Sequence, residues 1–143
     1  TDPQNVGAII RSAYAFKMDA LALSQTNSPI ESIGMSKASS GTIEKLKIIE
    51  LSNMSRAIRK LQDANFHVYG LANGGYGSVL DLEKEDGNVA VIVGSEGKGL
   101  RRLTREKVDL LLKIPINPDS ESLNVSNAAS ISMFQLQKNI IKN

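Results

Sequence analysis

The run Val89-Ala90-Val91-Ile92-Val93 sets five apolar residues in succession. A strand with one face in water alternates apolar and polar residues, whereas an unbroken run fits a strand covered on both faces. Such a strand needs a layer on either side, and the rest of the chain offers the material. "ALALS" (20–24), "KIIEL" (47–51), "HVYGLA" (67–72) and "LLLKI" (110–114) read as further strands. Helical periodicity separates them. Val6, Ile9, Ile10 and Ala13 fall at i, i+3, i+4 and i+7 and predict a helix from Asn5 to Phe16. Ser52 or Asn53 caps a second helix, running to Asn65 with Ala57, Ile58 and Leu61 facing inward. A third is expected from Gly99 to Lys107 and a fourth from Leu123 to Ile141. "QTNSPIES" (25–32), "NGGYGS" (73–78) and "EKEDGN" (83–88) carry turn and loop chemistry, while 36–46 is ambiguous. Strand and helix alternate, which predicts an α/β fold with a mostly parallel sheet flanked by helices.

A chain of 143 residues can bury a core of its own as one domain. The absence of cysteine excludes thiolate catalysis, disulfides and Cys-ligated zinc, and the single His67 cannot build a His-rich site, so no metal is expected. No apolar run approaches the roughly 20 residues that span a bilayer, and no signal peptide is visible. A cytoplasmic protein without membrane contact is expected. The net charge of +2 is a slight pull toward an anionic partner. Three Tyr, three Phe and no Trp argue against a surface that holds single strands mainly by stacking.

In open parallel sheets ligands bind beyond the carboxyl ends of the strands. Two strand-to-helix junctions stand there: "VAVIVGSEGKGL" (89–100) and "KIPINPDSESLNVS" (113–126). The glycines Gly94, Gly97 and Gly99 permit either tight turning or close backbone approach to a ligand. Their spacing is not G-x-G-x-x-G, and Leu100 and Arg101 stand where a P-loop needs Lys and Ser or Thr. A phosphate-anchored cofactor is therefore disfavoured. Glu96 is either a solvated loop charge or an acceptor for a hydroxyl, an amine or Arg11. Arg11 shares a helix face with Gly7; it is either an exposed arginine or a planar fork aimed at a phosphate or carboxylate. Among Lys98, Arg101, Arg102, Arg105 and Lys107, an ordinary charged face accounts for at least half, and a phosphate-contacting patch for the rest. His67 reads as structural. Finally, Ser122, Asn124, Ser126 and Asn127 crowd one helix start where a single cap would suffice.

Three stretches, "TDPQNVGAIIRSAYAF" (1–16), "VIVGSEGKGLRRLTRE" (91–106) and "IPINPDSESLNVSNAASI" (114–131), resemble in order and spacing the three motifs of the SpoU (TrmH-like) branch of the SPOUT RNA 2′-O-ribose methyltransferases. Within the branch the chain is most similar to the enzymes acting on a guanosine of large-subunit ribosomal RNA, with the transfer RNA guanosine enzymes close by. The resemblance implies a C-terminal deep trefoil knot, S-adenosylmethionine bound in it, a homodimer and an RNA partner. It implies cofactor contacts at Gly94, Gly99, Ile114, Leu123 and Ser126, and reaction-centre roles for Asn5, Arg11, Glu96, Ser122 and Asn124. Lys98, Arg101 and Arg105 would face RNA. The cofactor carries no phosphate, in keeping with the failed P-loop and dinucleotide patterns. The family gives removal of the 2′-hydroxyl proton to the arginine matching Arg11. A guanidinium stays protonated in proteins, so either a substrate phosphate turns it into a base or it orients the hydroxyl while the proton leaves by another route.

The resemblance makes residues 1–143 a catalytic domain. The family's hydrophobic strand before its DP-x-N motif, and the small amino-terminal RNA-binding domain of the ribosomal branch, are expected to lie outside it. "NPDSE" (117–121) departs from the usual small-residue version, and "SIGMSKASSG" (32–41) matches the family's Lys-Ala-Ser segment only in part. Three other readings compete: a transfer RNA enzyme, a non-catalytic RNA-binding module of the same fold, and a nucleotide-binding regulatory domain. Asn5, Arg11, Glu96, Ser122 and Asn124 occurring together favour the enzyme.

Overall fold

The structure is a computed structural model that describes residues 3–24, 45–84, 87–95 and 98–138. In chain order it contains α1 (Pro3–Ala15), β1 (Leu21–Ser24), β2 (Ile48–Leu51), α2 (Met54–Asp63), β3 (Phe66–Leu71), β4 (Gly77–Ser78) and a 3-10 helix (Val79–Lys84). β5 (Asn88–Ile92), α3 (Arg102–Lys107), β6 (Leu110–Lys113) and α4 (Val125–Gln137) follow. The loop at 25–32 and most of the ambiguous 36–46 stretch lie outside the described residues.

Local signals explain most of these elements. The apolar stripe of α1 is its buried face: Val6, Ile10 and Ala13 are almost fully enclosed. Asn53 caps α2, its side chain accepting from the Arg56 amide at 3.0 Å. Asn65, with φ 65°, turns the chain out of α2 in the left-handed conformation that asparagine tolerates. α3 starts later than its sequence predicts, because Arg101 is extended (φ −67°, ψ 153°) and only the residues beyond it coil.

Among the described residues every pairing between strands is parallel. β1 and β2 form one sheet, and the other has the order β4-β6-β3-β5. Helices cover the central run on both sides, as its composition requires. Ala90 and Ile92 pack with Ile58, Val68 and Val108, under α2. Val89 and Val91 point the other way, toward Val79, Leu82, Leu112 and the α4 residues Ile131 and Leu136. Val93 reaches a third cluster, built from Val6, Ile10 and Ala13 of α1 with Ala129 and Met133 of α4. Burying each such side chain stabilises the fold by about 1.5–3 kcal/mol.

Sequence patterning does not reveal β4, which has two residues and is held only by its partner. β6 lies between β3 and β4, with Leu71 and Gly77 both registered on Leu112. Residues 72–76 must therefore cross β6. Ala72 donates to the Leu112 carbonyl at 2.9 Å, and a Cβ on Gly75 would sit 2.6 Å from the Leu112 carbonyl carbon. The arch presses backbone on backbone.

Candidate active site

The carboxyl ends of β3, β5 and β6 open into the 72–76 arch, the glycine-rich turn and the loop before α4. In the glycine-rich turn, the Gly99 amide donates to the Ser95 carbonyl at 2.9 Å and closes a small ring. Its two described glycines have different jobs. Gly99 has φ 66°, which a side chain would strain; at Gly94 a Cβ would overlap the Gly99 backbone, only 2.2 Å away. Tight turning thus accounts for both. Glu96, between them, lies outside the described residues.

The loop after β6 turns at Asn117, whose side chain accepts from the Asp119 amide at 3.0 Å. Asn73 of the arch donates to the Glu121 carbonyl at 3.4 Å and ties the two loops together. Asn124 is then the N-cap of α4. Its Oδ1 accepts from the Ser126 amide at 2.9 Å, from the Ser126 hydroxyl and from the Asn127 amide at 3.4 Å. Its Nδ2 donates to Oδ1 of Asn5 at 3.2 Å, joining the first and last motifs across the chain. The crowded polar start of α4 is thereby resolved: Asn124 caps and clamps, Ser126 supports the cap, and Ser122 stays exposed. Leu123 and Ile114 are half-buried, and Ile114 packs on the Val79–Leu82–Leu112 cluster.

α1 and α4 meet at three levels. Below the Asn5–Asn124 bond, the Ser12 and Ser130 hydroxyls lie 2.8 Å apart, and Phe16 and Phe134 stack edge to face at 5.7 Å. The numbers rise together on both helices, so the helices run parallel with their amino ends side by side. Arg11 stands on α1 one position before Ser12. It is exposed and makes no hydrogen bond or ion pair with a described residue. The structure thus joins the helix of Asn5 and Arg11 to the Asn124–Ser126 corner. Ser12 and Ser130 lie within the first and third resembling stretches, where neither is given a role; their pairing spans 118 positions and no local pattern announces it.

Lys98, Arg101 and Arg105 are all exposed. Arg102 faces Glu106 at 3.9 Å in a solvent-exposed i,i+4 pair, an ordinary helix-face contact worth little. His67 is exposed on β3 beside Tyr69, 3.5 Å from its hydroxyl. Among the described residues, no three His, Asp or Glu side chains come together in a metal-binding group, and no helix is long and apolar enough to cross a membrane.

Comparison with known proteins shows the family. The SpoU rRNA Methylase family profile matches residues 1–134. A 23S rRNA (guanosine-2′-O-)-methyltransferase RlmB of Xanthomonas campestris is 39% identical over 134 residues, covering 94% of this chain and 53% of the relative. The Escherichia coli K12 protein of the same name is 38% identical over 135 residues, 94% of this chain and 55% of its own. The chain therefore spans about half the length of the curated relatives it matches. Among solved structures, an AdoMet-bound rRNA methyltransferase from Sinorhizobium meliloti superposes with a TM-score of 0.89 at 24% identity, over 99% of this chain and 54% of that one. The SpoU methyltransferase AviRb from Streptomyces viridochromogenes, in complex with AdoMet, gives 0.87 at 22% identity, over 97% and 56%. At that identity the two structures speak for the α/β fold alone.

Proposed function

This chain belongs to the SpoU rRNA methylase family, and from that premise we propose that it is the catalytic domain of an S-adenosylmethionine-dependent 2′-O-methyltransferase acting on a guanosine of large-subunit ribosomal RNA. The observation that carries the proposal is the Asn5–Asn124 hydrogen bond, which draws the first and third motifs to one place. The names of the relatives at 38–39% identity supply the substrate class.

The residues at the carboxyl edge suit the cofactor. Ile114 and Leu123 offer half-buried apolar surface for an adenosine, and the failure of both phosphate-binding patterns suits a donor without phosphates. Backbone groups of Gly94, Ile114 and Leu123 would hold it, with Gly99 and Ser126 shaping the walls. Bound there, S-adenosylmethionine would supply a sulfonium methyl for the ribose 2′ oxygen, whose proton would pass to Arg11 or to solvent. Arg11 supplies the fixed charge beside that hydroxyl, either as base or as its orienting donor. Asn124 holds α1 against the start of α4, so that Arg11 and Ser122 address one ribose; alignment of this kind supplies much of the acceleration. Lys98, Arg101 and Arg105 offer exposed charge to the RNA backbone. The C-terminal deep trefoil knot that the family resemblance implies belongs to the same proposal.

Methylation mapping tests the reading. Ribosomal RNA treated with the full-length protein and S-adenosylmethionine should acquire a 2′-O-methylguanosine in the large-subunit RNA. Methylation of transfer RNA instead would redirect the substrate. No transfer to either, with the cofactor bound in calorimetry, would leave a non-catalytic RNA-binding module.

A homodimer belongs to the same proposal. Tyr14 on α1 is 43% exposed and lies two residues beyond Ser12, on the side of α1 turned away from α4, so that side carries apolar surface. Tyr14→Asp should then halve the mass measured by sedimentation equilibrium; an unchanged mass would place the interface elsewhere.

A further inference from the structure

The hydroxyl pair between α1 and α4 completes a hydrogen-bonded circuit that no motif assigns. The Ser130 hydroxyl donates to the Ser126 carbonyl at 2.8 Å. Its proton is thus committed, and its oxygen is left to accept from the Ser12 hydroxyl at 2.8 Å. Ser126 in turn donates through its amide and hydroxyl to Asn124, and Asn124 donates to Asn5. Asn5 and Ser12 are on the same helix, two turns or about 10.5 Å apart. The circuit therefore runs from α1 to α4 and back, and pins α1 at two heights. One contact would leave the helix free to rotate about it; two fix rotation and register together. Arg11 is the neighbour of the lower pin. Chains of hydroxyl and amide bonds polarise one another and respond as a unit.

We propose that Ser12 and Ser130 are positioning residues of the methyl-transfer site, fixing the rotation and register of α1 against α4 and with them the direction in which the neighbouring Arg11 is presented. The proposal rests on the functional reading above. Its test is a double-mutant cycle in the full-length protein with S12A, S130A, S12A/S130A and S12T. Each alanine variant should lower kcat for RNA by about 3- to 10-fold, with KM for RNA and S-adenosylmethionine affinity held within about 2-fold. The double variant should be no worse than either single one, and S12T, which keeps the hydroxyl, should restore kcat. Losses that multiply in the double variant, or a drop in Tm with kcat unchanged, would overturn it. A second readout needs no RNA. S12A should shift the Asn124 side-chain amide resonances, because the two residues are linked through Ser130 and Ser126. A protein inactive on all RNA would sink the functional reading, while an unmoved Asn124 resonance would sink the circuit.

Discussion

Arg11→Ala is expected to reduce methyl transfer by about 100-fold or more, while S-adenosylmethionine affinity changes by less than about 3-fold. Two observations give that expectation its shape. Arg11 is exposed and bonds to no described residue, so its loss orphans no partner. Substitutions of that kind cost at most about 0.5 kcal/mol of stability. Its helix is nonetheless fixed to α4 by hydrogen bonds on either side of it in sequence, Asn5 to Asn124 and Ser12 to Ser130. A free charge on a pinned helix is what a group reserved for substrate requires. Arg11→Lys should recover little, because an ammonium cannot present two parallel donors to a ribose hydroxyl and its phosphate. The measurement is single-turnover transfer at saturating cofactor, with calorimetry on the same preparations. If cofactor affinity and rate fall together, Arg11 serves the cofactor pocket and the proposed reaction centre is misassigned.

What the sequence disclosed followed the range of the interaction. The α1 stripe, a cap at Ser52 or Asn53 and the two-sided burial of Val89–Val93 are written in neighbouring residues, and each was legible, with Asn53 the one of the two that caps. The polar cluster at 122–127 was legible as an excess over one cap. Which member would cap was not, because Ser122, Asn124 and Ser126 all have suitable side chains. Asn124 is selected by its second bond, to a residue 119 positions away. β4 left no trace for a similar reason: Gly77 and Ser78 become a strand only by pairing with β6. The glycine-rich turn shows the reverse. Its spacing argues against a phosphate loop but leaves the role of its glycines open, and they answer to the chain's own backbone, with Gly94 packed on Gly99 and Leu100. The Ser12–Ser130 pair is the extreme case, two serines with no signature apart from the fold that joins them.

The 72–76 arch yields the largest expected effect on stability. At Gly75 a Cβ would lie 2.6 Å from the Leu112 carbonyl carbon, 2.8 Å from the Lys113 nitrogen and 2.9 Å from the Leu111 oxygen. All three atoms are backbone in a strand paired on both sides, so no side chain can swing away to make room. Gly75→Ala must lift the arch off β6 or push β6 out of register with β3. Either route also strains the Ala72 to Leu112 bond and loosens packing around Leu112, which is 3% exposed. A loss of about 3 kcal/mol or more is expected, a large share of the roughly 5–15 kcal/mol by which domains are stable. Its neighbour is the internal control. A Cβ on Gly74 meets nothing within 4 Å, and alanine there should be neutral or add up to about 1 kcal/mol by restricting the unfolded chain. Denaturant titration of the two variants separates the cases, since both remove one glycine from the same loop. Equal stabilities would mean that the arch does not bear on β6.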